Sequence, residues 1–192
     1  MKHSIRLFAV ALSLVLTTTF NSSEAQIFNK GDIDLNAQIG FGTAWYVSSY
    51  SASMPLISIA GDYAMRDDWG PGVFGVGALV GINTIKSKYT WLNGEYGYKQ
   101  TNFYIVPRAT YHYQFVDKLD TYAGVATGLE ISVDKEYGDW PGTYTETSNA
   151  GAGFVITAFA GVKYYFTDNF AVMSELYVYD LAIFNIGVSL KL

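Results

Sequence analysis

Between positions 32 and 42 the side chains sort onto two faces with almost no exception: Ile33, Leu35, Ala37, Ile39 and Phe41 on one, Asp32, Asp34, Asn36, Gln38, Gly40 and Gly42 on the other. Successive Cβ atoms of an extended chain point to opposite sides, so this alternation predicts a β-strand with one apolar and one polar face. The pattern recurs. Over 56–64, Ile57, Ile59 and Tyr63 oppose Ser58, Ala60 and Asp62; over 73–83, Phe74, Val76, Ala78, Val80 and Ile82 oppose Gly75, Gly77, Gly81 and Asn83, with Leu79 as the exception. Further strands are predicted over 102–114, 121–133, 154–166, 170–178 and 184–192. Pro107 cannot donate to a ladder and predicts a bulge or distortion within the fourth strand.

The connections alternate in length. Short turns carry Asp67, Asp117 and Asp168, recurring about fifty positions apart, the interval of one strand up, one long connection and one strand down. The long connections are predicted over 43–55, 85–101 and 134–152. The first carries Trp45, Tyr46 and Tyr50, the second Tyr89, Trp91, Tyr96 and Tyr98, and the third Tyr137, Trp140, Pro141 and Tyr144. About eight strands of roughly nine to twelve residues, with short turns at one end and long loops at the other, describe a small antiparallel up-and-down barrel.

Orientation follows from pooling the faces. One face is Ile, Leu, Val, Phe, Ala and Tyr; the other collects Asp34, Gln38, Asp62, Arg108, His112, Glu130, Lys163, Glu175 and glycines. Eight strands enclose a narrow lumen that suits small residues and cannot take several bulky ones from every strand. Turned the other way, the apolar face would exceed any ordinary exposed patch in water. The reading is therefore a transmembrane barrel with the apolar face on lipid, against a soluble lipocalin-like barrel or sandwich as the rival fold. Aromatic residues near the strand ends fit interfacial girdles, with Tyr63, Trp69, Tyr111, Tyr113, Tyr164, Phe166 and Phe170 at the turns and Tyr46, Tyr89, Tyr104 and Tyr137 at the loop end.

Composition narrows the picture. Charged residues are only 15% and aromatic residues 17%, with Tyr 16, which suits a membrane interface better than a soluble surface. The net charge of −5 with no basic stripe argues against nucleic acid. Cysteine is absent, which removes disulfides, thiolate metal sites and thiol nucleophiles. At the N-terminus Lys2 and Arg6 precede an apolar run over 7–16, and Ser23, Glu24 and Ala25 offer a small-residue cleavage site. A secretory signal peptide over 1–25 is expected, removed to leave a barrel domain over 26–192. Ten apolar residues fall short of the ~20 that span hydrocarbon as a helix.

The whole stretch after position 25 resembles the small outer-membrane β-barrel family that includes OmpX-like and OmpA-transmembrane-like proteins. The residues that carry the likeness are Tyr111-His112-Tyr113, Lys118-Leu119-Asp120-Thr121-Tyr122-Ala123-Gly124, Tyr164-Tyr165-Phe166-Thr167-Asp168-Asn169-Phe170, Glu175-Leu176 and the closing Ile186-Gly187-Val188-Ser189-Leu190-Lys191-Leu192. The resemblance implies a monomer in the outer membrane of a Gram-negative bacterium, in contact with lipid and lipopolysaccharide. It also implies an alternating last strand, Phe184, Ile186, Val188, Leu190 and Leu192, read by the barrel assembly machinery. Family members end on an aromatic residue, where this chain has Leu192.

Inner-face charges admit a catalytic or a structural role. In a lumen too narrow for a water channel, Arg108, Glu130, Lys163 and Glu175 are expected to pair with one another, since buried charges need partners. Lys163 and Glu175 lie about equally far from the turn at Asp168 and Asn169, which predicts that they meet across an antiparallel pair. His112 is the one histidine after position 25; it has no second histidine for a metal and sits by the turn at Asp117, away from the loop end. No catalytic residue, cofactor or metal site is predicted. Lys86, Lys88 and Lys99 could touch lipopolysaccharide phosphates, and Asp134, Glu136, Asp139 and Glu146 could bridge divalent ions, or all could be solvated loop charge. The functional expectation is a structural, adhesive or surface-interaction role. The alternatives are a narrow channel or hydrophobic-ligand conduit and, behind it, a lipid A modifying enzyme.

Overall fold

A computed structural model describes residues 26–42, 50–91, 94–138 and 148–192. The expected signal peptide over 1–25 and the loop residues Trp45, Tyr46, Asp139, Trp140, Pro141, Tyr144 and Glu146 lie outside the described residues, as do the side chains of Tyr50, Lys88, Tyr89, Trp91 and Tyr96.

The strands are β1 Ile33–Phe41, β2 Tyr50–Arg66, β3 Val73–Trp91, β4 Gly94–Val116, β5 Leu119–Gly138, β6 Ser148–Tyr165, β7 Phe170–Tyr177 and β8 Phe184–Lys191. Each pairs antiparallel with the next, and β1 pairs with β8 to close the ring. The register Ala37↔Val188 and Asn36↔Ser189 aligns apolar with apolar and polar with polar across that seam. Closure pairs the β1–β8 seam, and where β6 runs beyond its pairing with β7 at Phe159–Tyr165, Ile156 N bonds the Asp180 carboxylate instead; a spanning sheet requires such partners in a solvent that cannot hydrogen-bond.

The outward face is the apolar one. Ile59, Val125, Phe154 and Ile156 are each between 59% and 70% exposed, while Asp34, Asp62, Lys163 and Glu175 are each 0% exposed. Water would not tolerate that arrangement over a whole barrel; lipid would. Phe184, Ile186, Val188, Leu190 and Leu192 all lie outward, as the alternation of the last strand predicts. Tyr63, Trp69, Tyr164, Phe166 and Phe170 are exposed near the turns, in keeping with a girdle there. At the other end Tyr104 departs from its expected place: it is 5% exposed and points into the lumen.

All three long connections contain strand. Positions 85–101, read from sequence as a loop, form a continuous ladder from Ile85↔Gln100 to Trp91↔Gly94. Likewise β2 already begins at Tyr50, and β5 runs on to Gly138 opposite the β6 extension from Ser148. Beyond the apolar band both faces of a strand are wet, so nothing imposes alternation and the sequence signal vanishes while the pairing continues. Pro107 meets the second of its two expectations, a local distortion and not a bulge. Pairing of β4 with β5 skips from Ile105↔Leu129 to Arg108↔Ala126 with no change of register, so the ladder lapses there without a bulge. The register shifts lie elsewhere: in β2 either side of Met54, next to Pro55, and between Ala64 and Arg66, and at the turn end of β4 between Gln114 and Val116.

Candidate functional site: a filled lumen

The centre of the lumen is Arg108 on β4. Its Nε donates to Asp62 Oδ1 at 2.7 Å and its Nη2 also bonds Asp62 on β2, while Nη1 donates to Glu175 Oε1 on β7 at 3.0 Å. One guanidinium therefore ties three strands, two of them not its neighbours. Glu175 is completed by the hydroxyls of Tyr122 at 2.7 Å and Tyr177 at 2.8 Å. Gly77, opposite Arg108 in the register, has no room for a Cβ against Asp62, and Gly161, opposite Glu175, has none against the Tyr122 ring. Glycine on the inner face thus makes the space that the large polar groups fill.

A second ion pair closes the seam from within. Lys163 on β6 reaches Asp34 on β1 at 2.6 Å, and Tyr165 donates to the same carboxylate at 3.1 Å. The expected pairing of Lys163 with Glu175 is thereby overturned. The β6–β7 register sets Lys163 opposite Met173 and Glu175 opposite Gly161, two positions off the alignment that the turn residues suggested. Glu130 is the other departure: it takes a 3.4 Å bond from the Tyr104 hydroxyl and joins no ion pair among the described residues. Of the four lumenal charges expected to pair together, only Arg108 and Glu175 do so.

Nearer the turns, His112 Nδ1 lies 2.7 Å from Asp120 Oδ2 and its Nε2 lies 3.1 Å from Thr110 Oγ1. An acid, an imidazole and a hydroxyl in a row have the outline of a hydrolytic relay. Access decides otherwise. All three are buried, His112 is stacked on Tyr122 at 4.7 Å, and the Phe28 ring also packs against it with ring centroids 4.3 Å apart. Gly75 packs against Thr110 Oγ1 so closely that no Cβ would fit, and no substrate carbonyl could either. The relay is a satisfied buried histidine. Among the described residues no group of three His, Cys, Asp or Glu side chains could hold a metal ion.

Both mouths are closed by chain that the alternation did not flag. At the turn end, residues 26–32 fold under the barrel: Phe28 is 2% exposed, Ile27 N donates to Gln114 Oε1 at 2.7 Å, and Lys191 Nζ donates to the Ile27 carbonyl at 2.7 Å. At the other end the β7–β8 connection turns inward, burying Leu181 and Ala182. Asn185 Nδ2 holds the Ala182 carbonyl at 2.8 Å and Asp180 Oδ2 accepts from Ile156 N at 2.9 Å. Between these ends Leu56, Leu79, Val106, Val155 and Phe159 form one apolar cluster inside the barrel. Leu79, the exception to the β3 alternation, is thus an inner-face core residue.

Outside the membrane-facing surface, Arg66 bonds Asp68 in the β2–β3 turn with both nitrogens at 2.9 Å. That hydrogen-bonded guanidinium lowers the Asp68 carboxyl below the usual carboxylate range.

No protein-family model matches the chain, and no curated protein matches it by sequence. Solved structures do. The N-terminal β-barrel domain of Pseudomonas aeruginosa OprF is 16% identical with a TM-score of 0.44, over 85% of this chain and 98% of that one. Ail, the attachment invasion locus protein of Yersinia pestis, solved with the heparin analogue sucrose octasulfate, is 10% identical with a TM-score of 0.41, over 84% and 95%. Neisserial surface protein A is 12% identical with a TM-score of 0.39, over 84% and 94%.

Proposed function

We propose that this protein is a monomeric outer-membrane barrel of a Gram-negative bacterium with a structural or surface-interaction role, adhesion included, rather than a channel or an enzyme. The observation that carries the reading is the contrast of faces on a closed ring: apolar outward on every strand, and inward a set of polar and apolar side chains that fill the lumen. Along β4 the outward apolar band runs from Tyr113 to Phe103, about 25 Å for a strand tilted by about 40°, which matches the height of a bilayer-embedded barrel.

Against conduction stand the Arg108 network across the waist, Phe28 under one mouth and Leu181 under the other. What remains available to partners is the extension of β3, β4 and β5 beyond the band. On the same reading the outward residues of β8, Phe184 to Leu192 at every second position, are the segment presented to the assembly machinery. The location and the plugged lumen are tested together. The protein should stay with membranes through a sodium carbonate wash and remain silent in planar bilayers. Release into the soluble fraction would overturn the membrane reading; steady conductance would overturn the closed lumen.

A further inference from the structure

On the extension of the barrel beyond the apolar band, three lysines share one row. Lys86 on β3 is directly opposite Lys99 on β4, and Lys99 is directly opposite Lys135 on β5. All three are exposed. Their face is fixed by counting along unbroken register: Lys86 lies four positions beyond Ile82, Lys99 four before Phe103 and Lys135 four beyond Ile131. An even offset keeps a side chain on the same side of a sheet, so the lysines continue the outward, lipid-side columns. Between them and the last apolar row stand Thr84, Thr101 and Val133.

Three like charges side by side on adjacent strands repel, and cross-strand pairs of this kind destabilise a sheet. Among the described residues none of the three lysines has a carboxylate within salt-bridge distance to offset the repulsion. The nearby Asp134 and Glu136 alternate with Lys135 on β5 and so belong to the opposite, lumenal face. Four residues along a strand tilted by about 40° rise about 10 Å, which sets the row above the hydrocarbon edge and within the headgroup layer.

We propose that the Lys86, Lys99 and Lys135 row is a binding site for the phosphate groups of anionic lipid in the outer leaflet, and so clamps the barrel to its surrounding lipid. This rests on the outer-membrane reading, with the turns toward the periplasm. The anchor is the lipid headgroup and not a free anion. A lipid whose acyl chains pack on Ile82, Phe103 and Ile131 carries its phosphates to the height of the lysines, with the attachment already made below. Adjacent strands about 4.8 Å apart spread the three ammonium groups over roughly 10 Å, wide enough to engage more than one phosphate.

The test reconstitutes the purified full chain into phosphatidylcholine vesicles with and without bisphosphorylated lipid A. Flotation with the vesicles reads insertion, and the midpoint of urea unfolding reads lipid binding by linkage. The wild type should unfold at higher urea when lipid A is present, and less so at high salt. In the combined variant Lys86→Gln, Lys99→Gln, Lys135→Gln that gain should vanish, while in plain phosphatidylcholine the variant should match or exceed the wild type, because the repulsion is gone. A control, Lys30→Gln with Lys118→Gln at the turn end, should keep the gain. An equal gain in the three-lysine variant would overturn the proposal, as would reproduction of the gain by inorganic phosphate alone. Failure of the wild type to float would instead overturn the membrane reading beneath it.

Discussion

The two halves of the lumen solve the same packing problem by different chemistry. Toward the turns and at the waist the space is filled by Asp34, Asp62, Arg108, His112, Asp120, Lys163 and Glu175; toward the long hairpins it is filled by Leu56, Leu79, Val106, Val155, Leu181 and Ala182, with Phe159 where the two meet, its ring under Arg108 and stacked on Tyr177. The charged half ties named strands together at fixed positions, β4 to β2 and β7, and β6 to β1. The apolar half has no such addresses and is held by volume. A charge left without its partner is penalised steeply, whereas an apolar gap is penalised in proportion to its size. The charged half therefore specifies which strands lie across from which, and the apolar half adds stability that tolerates exchange.

The largest test of this contrast is Arg108→Met. It leaves Asp62 and Glu175 buried with no cation between them, and should lower unfolding stability in vesicles by about 3–5 kcal/mol. Replacing Arg108, Asp62 and Glu175 together with apolar residues of similar volume should recover most of that loss. If it did not, the network would be more than a set of mutual partners.

In the apolar half, Leu56→Ala should lose about 3 kcal/mol, whereas Leu79→Met should lose less than about 1.5 kcal/mol because volume is nearly conserved. A larger loss for Leu79→Met would mean that the apolar half is as position-specific as the charged one. Coupling sharpens the comparison further. Double-mutant cycles for Arg108 with Asp62 and for Lys163 with Asp34 should give interaction energies above about 1 kcal/mol, while Lys163 with Glu175, linked only through Tyr122, should give a smaller one. Strong coupling of Lys163 with Glu175 would contradict the Lys163–Asp34 pair.

The smallest effect lies outside the lumen. Because the folded Asp68 carboxyl titrates below its usual range, the Arg66–Asp68 contact contributes above the ordinary carboxylate pKa and is lost as pH falls through the lowered value. Arg66→Gln should return the Asp68 carboxyl carbon titration to the ordinary range by NMR. Because the pair is exposed, stability at neutral pH should barely change.

Within the apolar band the sequence was an accurate guide. Two solvents of opposite polarity act on the two faces of every strand there, and each residue records which one it meets. Ile33 to Phe41 outward, Asp34 to Gln38 inward, Phe184 to Leu192 outward and the closed ring of eight strands all follow from that rule. Beyond the band the rule lapses, and the paired strands over 85–101 read as loop. Inside the lumen the limitation was different. Alternation put Asp34, Lys163, Arg108 and Glu175 on the inner face but carried no information on which of them lie across from one another. Nor did it flag Phe28, Leu181 and Ala182, which reach the lumen from segments without strand period.

What the sequence determined by itself is thus the sidedness of each strand, the order of the strands and the class of barrel, because these are set by local alternation against a two-sided environment. Only the tertiary structure decided that Lys163 closes the β1 seam through Asp34, that Arg108 spans three strands, and that Lys86, Lys99 and Lys135 share one row. Those are matters of register and of distance across a closed ring, where a shift of two residues preserves every face and changes every partner.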